Sequence, residues 1–307
     1  MSHRMNPAKP RLRKDLGQHH LVAPELCRPL VDWLARRRGP VVEIGPGGGV
    51  LTRQLASIGP LMAVEFDPAW GLSLAGEVAG ARVVIADARH LAWQRLPPDS
   101  WVVGNLPYNL STLLIEGVLD LAPSGVAMAF LVQLEVARRL AAAPGSSDYG
   151  SLSVIAQART SWQLLARVRP GSFRPPPKVD SAFVGSGPLA PWPLDGPGSV
   201  SEERPATSRH ETGPAGSDWR QFKSFVRAAF ARRRKTLVNS LRGTTSQLPS
   251  GRVTWSRGSV EALLDRLGRD PRSRAEELAV ADYLQLWQYL ASAEAASELV
   301  DGELADG

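Results

Sequence analysis

The sequence of 307 residues has a single cysteine, no long apolar run, and no acidic residue within its longest basic stretch. With Cys27 alone, an internal disulfide and a metal site built from several cysteines are both excluded. No stretch approaches the roughly 18 consecutive apolar residues of a membrane span, and the basic N-terminus lacks the apolar segment of a signal peptide. We therefore expect a soluble, cytoplasmic protein without a metal centre, in which Cys27 is a small packing residue.

Basic residues are concentrated in two stretches of a chain whose formal net charge is +6. Residues 4–14 carry five Lys or Arg, and residues 219–243 carry eight with no acidic residue among them. Such a concentration indicates a polyanionic partner. Residues 294–306 are instead acidic and small, as in a solvated tail.

Apolar segments of strand length alternate with segments of helical periodicity over the first 185 residues. This alternation predicts an α/β fold with a doubly wound, Rossmann-like parallel sheet, whose ligand sites lie beyond the carboxyl ends of its strands. After residue 218 the periodicity is helical only, which predicts a small C-terminal helical domain. The predicted strands are 41–44, 61–65, 82–86, 101–104, 127–133 and 181–184, and the predicted C-terminal helices are 219–242, 259–267 and 274–290.

Composition divides the chain into five parts. We predict a basic N-terminal arm at 1–20, an α/β domain at 21–185 and a helical domain at 219–292. Residues 186–218 are rich in Pro, Gly, Ser and Glu without an aliphatic pattern, as expected of a flexible linker. Residues 293–307 are predicted to be an acidic disordered tail.

The tetrapeptide Asn105-Leu106-Pro107-Tyr108 follows the fourth predicted strand, about sixty residues after a glycine-rich turn. The amino nitrogen of adenine is a poor nucleophile because its lone pair is delocalised into the ring. The Asn105 side-chain oxygen and the Leu106 carbonyl, held by rigid Pro107, can accept hydrogen bonds from that amine and so direct its lone pair outward. Tyr108 offers a flat face for stacking the base. The tetrapeptide therefore predicts methyl transfer to an exocyclic amine.

The glycine-rich turn Gly45-Pro46-Gly47 lets backbone amides approach a ligand closely. Glu43 precedes this turn, where a carboxylate would repel a dinucleotide pyrophosphate and favour a cationic ligand. S-adenosylmethionine, with its sulfonium and ammonium groups, fits this requirement. Glu65 ends the next predicted strand and is placed to accept both ribose hydroxyls, while Asp87 follows the third strand and can accept the adenine amine of the cofactor.

With these residues in place, the chain resembles the KsgA/RsmA family of small-subunit rRNA adenine dimethyltransferases. Gly17-Gln18 with Leu21 is similar to that family's N-terminal Gly-Gln-Asn-Phe-Leu signature. Residues 173–181, which read Phe-Arg-Pro-Pro-Pro-Lys-Val-Asp-Ser, are similar to its Phe-x-Pro-Pro-Pro-Lys-Val-Asp-Ser segment. Shorter matches bring the resemblance to roughly residues 11–184 and 219–290.

The resemblance implies transfer of methyl groups from S-adenosylmethionine to N6 of adjacent adenines near the 3′ end of 16S rRNA, two per base, during small-subunit assembly. It implies that 21–185 is the methyltransferase domain and that the flipped adenine lies between Tyr108 and Phe173. We expect the protein to be a monomer. The expected catalytic residues are Asn105, Leu106, Pro107, Tyr108 and Phe173. The expected cofactor contacts are His19, Leu21, Glu43, Gly45, Gly47, Glu65, Asp87 and Asn105.

Two positions depart from the family pattern. His19-His20 stand where the family has Asn-Phe, and Leu134 stands where it usually has a lysine. If residue 19 contacts the cofactor through its backbone, the change has little effect. If the family's amide side chain makes the contact, cofactor affinity should fall. We interpret the histidine pair as an exposed polar dipeptide and not as a metal site.

RNA affinity is expected to come from Lys and Arg side chains against phosphates. The candidate residues are Arg220, Lys223, Arg227, Arg232, Arg233, Arg234 and Lys235. Three other functions remain open at this point: an erythromycin-resistance methyltransferase acting on large-subunit 23S rRNA, a ribosome-assembly factor that binds RNA without catalysis, and a DNA adenine methyltransferase.

Overall fold

The computed structural model describes residues 10, 19–36, 38–192, 217–248 and 251–291. Most of the predicted arm, most of the predicted linker and all of the predicted tail lie outside the described residues. The chain divides into two compact units, each built from two segments. The first unit runs to Arg138 and resumes at Ser161–Leu189, and the second comprises Arg139–Thr160 and the chain from Ala190 onward.

The first unit contains nine described strands and five helices. The strands are β1 (His20–Leu21), β2 (Val41–Ile44), β3 (Leu61–Glu65), β4 (Ala81–Ile85), β5 (Trp101–Asn105), β6 (Ala127–Gln133), β7 (Trp162–Val168), β8 (Phe173–Arg174) and β9 (Ser181–Pro188). The helices are α1 (Arg28–Leu34), α2 (Val50–Leu55), α3 (Pro68–Glu77), α4 (Ser111–Leu121) and α5 (Leu134–Leu140), the last of which ends within the second unit.

Seven strands form one sheet in the order β4-β3-β2-β5-β6-β9-β7. The five strands from β4 to β6 are parallel, whereas β9 runs antiparallel to β6 and β7 antiparallel to β9. The predicted parallel sheet is correct for these five strands but not for β9, and β7 was not predicted. The strand β7 was missed because it lies at the end of the sheet and is half exposed, which weakens its apolar pattern.

The central strands explain the apolar runs of the sequence. Every residue of β2 is buried, as are the first four of β5 and the first six of β6. Because neighbouring strand residues point to opposite faces, complete burial means that both faces of the sheet are covered. Cys27 is fully buried in the core cluster that includes Leu30 and Leu34 of α1, so its predicted packing role is confirmed.

The second unit has an aromatic core. Its described elements are α6 (Ser151–Gln157), α7 (Ser217–Ala229), α8 (Leu237–Leu241), the hairpin of β10 (Thr245–Leu248) and β11 (Gly251–Thr254), α9 (Arg257–Arg266) and α10 (Val280–Leu290). Trp192, Trp219, Phe222 and Trp287 form a chain of ring contacts with centroids 4.7–5.8 Å apart. Such ring pairs add stability beyond their buried area. The unit is therefore a packed body in its own right.

Three predicted boundaries need correction. Residues 139–160 group with the second unit and not with the predicted domain 21–185. The predicted linker begins too early, because β9 extends to Pro188 and both Leu189 and Trp192 are buried. The predicted helix 219–242 is interrupted, since α7 ends at Ala229 and α8 begins after Thr236, whose hydroxyl caps it.

In the described part of the chain, no helix has both the length and the apolarity needed to cross a membrane.

Candidate active site

A cavity of about 320 Å³ lies at the carboxyl edge of the parallel strands. Its walls come from the loops that follow β2, β3, β4 and β5, because parallel strands deliver their carboxyl ends to one rim. Of the residues predicted from sequence, the cavity gathers His19, Gly45, Gly47, Glu65, Asp87, Asn105, Leu106, Pro107 and Tyr108. Most of the predicted site is therefore brought together in one place.

A hydrogen bond connects the glycine turn to the Glu65 side chain. Glu65 Oε2 accepts a hydrogen bond from the Gly47 amide at 3.0 Å, and Oε1 accepts one from the Asp67 amide at 2.9 Å. Burial raises the pKa of Glu65, while these backbone donors act in the opposite direction. Gly47 has φ of 50°, and a Cβ there would lie 2.7 Å from His20 Nε2. Only glycine fits this turn without strain or displacement of His20.

Glu43 does not reach the cavity, so its predicted contact with the cofactor is wrong. It lies in the middle of β2 with 1% of its surface exposed. Burial raises its pKa to about 8, so the carboxyl is largely protonated at neutral pH and cannot offer a negative charge to a sulfonium. Thr52 lies close enough to lower the pKa of Glu43 in part. Among the described residues, however, neither the Thr52 hydroxyl nor Glu43 Oε2 has a partner with the geometry of a hydrogen bond.

Asp87 lines the cavity but is engaged by a neighbour. The Arg89 guanidinium bonds both carboxylate oxygens, with Nη2 at 2.6 Å from Oδ2 and Nε at 3.1 Å from Oδ1. The Arg89 amide also donates to Oδ1 at 2.9 Å. The hydrogen bonds from Arg89 hold the pKa of Asp87 below its usual value. An amine that reaches Asp87 must share this carboxylate with Arg89 or displace it.

Asn105 has a fixed side-chain orientation. Gly104 lies so close to β2 that a Cβ would meet the Ile44 carbonyl oxygen at 2.3 Å, and this contact places the next residue beside the glycine turn. Asn105 Nδ2 donates to the main-chain carbonyl of His19 at 2.7 Å. Because the amide nitrogen is committed to that carbonyl, Oδ1 is left as the hydrogen-bond acceptor of the side chain. This is the polarity that recognition of an amine requires.

Tyr108 is held at its hydroxyl and covered on one face. Its hydroxyl lies 2.5 Å from Ser181 Oγ, which belongs to β9. Its ring stacks with the His19 imidazole, with centroids 5.3 Å apart and planes inclined by 24°. Burial raises the pKa of Tyr108, while the hydrogen bond to Ser181 acts in the opposite direction.

Phe173 and Leu21 do not line this cavity, so the structure does not place them where the sequence predicted. Phe173 is 2% exposed and belongs to the hydrophobic core, where β8 pairs it with Leu21 of β1. In this structure the Phe173 ring is not placed to hold a base against Tyr108 in the way that the sequence predicted. The reason is the short β1–β8 ladder, which alternates residues between faces and turns both of these side chains inward.

The two histidines occupy different environments. His19 Nδ1 lies 2.7 Å from the Pro175 carbonyl oxygen and so acts as the donor. His20 packs edge-on against Trp70, with centroids 4.7 Å apart, and lies over Gly47. Its pKa is lowered by burial and by the nearby His19. Neither ring is the exposed polar side chain expected from the sequence. Among the described residues, no group of three His, Cys, Asp or Glu is placed to hold a metal ion.

Comparison with known proteins identifies the family. The profile of the family described as ribosomal RNA adenine dimethylase matches residues 9–186. The chain is 36% identical to ribosomal RNA small subunit methyltransferase A of Rubrobacter xylanophilus, over 94% of this chain and 98% of that protein. It is 37% identical to the protein of the same name from Aromatoleum aromaticum, over 92% of this chain and 95% of the other. This chain belongs to the ribosomal RNA adenine dimethylase family.

Solved structures agree with the assignment to the adenine dimethylases. The 23S rRNA methyltransferase ErmE aligns with a TM-score of 0.59 and 25% identity, over 89% of this chain and 99% of its own. A dimethyladenosine transferase from Plasmodium falciparum aligns with a TM-score of 0.64 and 21% identity, over 88% of this chain and 97% of its own, which shows a common fold. The predicted Rossmann-like methyltransferase fold and the predicted family are both confirmed.

Two residues of this adenine dimethylase site were missed by sequence reasoning. Phe66 lines the cavity with 53% of its surface exposed, directly after Glu65. Arg89 lines the cavity beside Asp87. A signal existed for Phe66, because a large apolar residue immediately after an acidic strand end is a candidate platform for a flat ring. The pairing of Arg89 with Asp87 across two residues carried no comparable signal.

The basic residues expected to bind RNA lie in the second unit, and one of them is misplaced. Arg220, Arg227, Arg232, Arg233, Arg234 and Lys235 are exposed. Lys223 is 6% exposed, and its Nζ lies 5.9 Å from the centroid of the Trp219 ring. Because Lys223 follows Trp219 by four residues, the helix turns it to the buried face of α7, where its stem packs. Its predicted contact with phosphate is therefore contradicted.

Proposed function

We propose that this protein transfers methyl groups from S-adenosylmethionine to N6 of adenine in small-subunit ribosomal RNA, two per base, at adjacent adenines near the 3′ end. One observation carries the proposal. A fixed Asn105 amide and the rest of its tetrapeptide share one cavity with the glycine turn, Glu65 and Asp87. Relatives that match over 92–94% of this chain are named small-subunit methyltransferases.

The cavity fits S-adenosylmethionine. Gly45 and Gly47 add no side chain of their own to the cavity wall, Glu65 and Asp87 supply acceptors for hydroxyl and amine groups, and Phe66 offers an exposed ring for an adenine. When bound, the cofactor supplies an activated methyl group on a sulfonium, so the protein has chiefly to align the acceptor.

The tetrapeptide binds and orients the acceptor amine. Asn105 Oδ1 accepts one amine hydrogen, and the Leu106 carbonyl is positioned by the rigid Pro107 to accept the other. These bonds draw the nitrogen lone pair toward the methyl donor. Tyr108 supplies a stacking face for the extruded base, which recovers part of the energy lost when the base leaves its own stack.

The exposed Arg and Lys residues of the second unit support binding to the RNA backbone. Arg232, Arg233, Arg234 and Lys235 follow one another in the segment between α7 and α8. A contiguous basic segment binds phosphates with little dependence on sequence, so target choice falls to RNA shape and to the base pocket. We infer that the substrate is an assembling small subunit, that the protein acts as a monomer, and that it works in the cytoplasm where subunits assemble.

One alternative has specific support. The alignment with ErmE, named for 23S rRNA, extends over 89% of this chain at 25% identity. We favour the small subunit because the relatives named for it are 36–37% identical over a greater share of the chain.

The deciding experiment is methyl transfer from labelled S-adenosylmethionine to unmethylated small subunits and, in parallel, to large-subunit rRNA, with the modified nucleoside identified by mass. Dimethyladenosine in the small subunit alone is the expected result. Product in the large subunit would move the protein to the resistance methyltransferases, and binding without product would indicate an assembly factor. A duplex DNA substrate serves as the third arm, since product there would indicate a DNA methyltransferase.

A further inference from the structure

His19 makes three contacts that join the separate parts of the base site. Its ring stacks on Tyr108, its Nδ1 lies 2.7 Å from the Pro175 carbonyl oxygen, and its main-chain carbonyl accepts from Asn105 Nδ2 at 2.7 Å. Pro175 follows the β8 strand that carries Phe173. A single residue thus contacts the acceptor-binding asparagine, the stacking tyrosine and the proline-rich segment.

The stacked geometry leaves no space for a base between the two rings. Aromatic carbons in contact lie about 3.5–4.0 Å apart, so a base held between two rings requires about 7 Å between them. The centroids of His19 and Tyr108 are 5.3 Å apart. Both side chains line the same cavity. An adenine that stacks on this face of Tyr108 must therefore replace the imidazole.

We propose that His19 covers the base-stacking face of Tyr108 in the ligand-free protein and that the target adenine displaces its ring. The identity of the displacing base rests on the proposed function, whereas the covering of Tyr108 does not. His19 is then a residue that controls access to the base site, in addition to any contact it makes with the cofactor.

The attachment of His19 allows its ring to leave without disturbing Asn105. The hydrogen bond to Asn105 comes from the main-chain carbonyl, so rotation about the side-chain bonds of His19 leaves the Asn105 amide oriented. The bond from Nδ1 to Pro175 breaks when the ring swings out. Loss of this hydrogen bond removes one restraint on the segment next to Phe173. The Phe173 side chain is buried while His19 covers Tyr108. When the His19 ring leaves Tyr108, the segment that carries Phe173 therefore loses a hydrogen bond as well. Phe173 is the second aromatic residue that the sequence predicts beside the base.

Chemical nitration of tyrosine with tetranitromethane tests the covering without any substrate. The chain has only four tyrosines, of which Tyr149 and Tyr283 are buried and Tyr289 is partly exposed in the second unit. In His19→Ala, we expect nitration of Tyr108, mapped by mass spectrometry and normalised to Tyr289, to be faster by about 2- to 12-fold, the range that an aromatic pair contributes. His19→Phe restores a stacking ring and should restore protection. Equal nitration of Tyr108 in all three proteins overturns the proposal.

Steady-state kinetics with unmethylated small subunits test the displacement. His19→Ala keeps the carbonyl that orients Asn105, so we expect a lower KM for RNA, by about 2- to 12-fold. A KM for RNA that is unchanged or higher would mean that the base does not have to displace the imidazole, and would overturn the displacement. S-adenosylmethionine affinity by calorimetry and the melting temperature identify variants that are altered in the cofactor site or in folding. If the wild type methylates no RNA, the proposed function fails and the nitration result still decides the covering.

Discussion

Replacing Glu43 with Gln should change how the stability of the first unit depends on pH. The Glu43 carboxyl is fully buried, and its pKa is raised by burial from 4.5 to about 8 in the folded protein. The difference of about 3.5 in pKa corresponds to about 5 kcal/mol at pH values above both pKa values. Gln mimics the protonated carboxyl in size, and its amide lies near the Thr52 hydroxyl.

The direction in which stability changes with pH depends on whether the folded or the unfolded chain retains the proton of Glu43. Below pH 4.5 both the folded and the unfolded chain are protonated at residue 43, and the contribution of this group to stability is fully present. Between pH 4.5 and about 8 the unfolded chain releases its proton while the folded chain retains it, so stability falls as pH rises. Between pH 5 and pH 8 this loss amounts to about 3 kcal/mol. Glu43→Gln has no proton to release and should not show the loss.

Urea denaturation at pH 5, 6, 7 and 8 measures the effect through the free energy of unfolding. We expect wild type and Glu43→Gln to be most alike at pH 5 and to separate progressively toward pH 8, with the variant more stable. Glu25→Gln is the matched control, since Glu25 is an exposed glutamate in the same unit. The reasoning is refuted if the curves of Glu43→Gln and wild type stay parallel across this range, because Glu43 would then be ionised in the folded protein.

Three further predictions concern the cavity and the basic segment. Asn105→Ala should abolish turnover while RNA binding, measured by filter retention, stays largely intact; equal loss of both would show that Asn105 is structural. Arg89→Leu should tighten S-adenosylmethionine binding in calorimetry by up to about 5-fold, because it frees Asp87 from an exposed ion pair worth up to about 1 kcal/mol. Weaker binding would contradict this prediction, since Arg89 would then itself support the cofactor. Arg234→Ala should weaken RNA binding and reduce its salt slope by roughly one, whereas Lys223→Met should leave the slope unchanged because Lys223 is buried; identical slopes for the two variants would contradict this assignment.

From the sequence alone, we predicted the features that depend on the local pattern of apolar residues and on where each strand ends. The buried strands β2, β5 and β6 were found because they read as continuous apolar runs, and Glu65, Asp87 and Asn105 were found because they end such runs. Their meeting in one cavity follows from the parallel order of the strands. The strand β7 was not found, because an edge strand that is half exposed has no continuous apolar run.

The remaining errors are of two kinds. Lys223 was predictable, because its position four residues after Trp219 places it on the apolar stripe of α7, and the charge count ignored that spacing. The inward packing of Phe173 and the stacking of His19 on Tyr108 were not, because both depend on contacts between segments far apart in sequence. The burial of Glu43 lies between these cases, since a carboxyl in the middle of a fully apolar strand already indicates a buried acid.

The discontinuous second unit limits how this protein can be dissected. Residues 139–160 are enclosed in sequence by the first unit, yet within the second unit the Tyr149 hydroxyl donates to the Leu278 carbonyl at 3.0 Å and the Gly145 amide to the Glu276 carbonyl at 2.7 Å. A truncation after residue 189 would therefore leave α6 and the loop before it without their partners. No single cut yields two complete pieces. Fragments made to separate methyl transfer from RNA binding need a graft or a circular permutation that keeps residues 139–160 with the C-terminal helices.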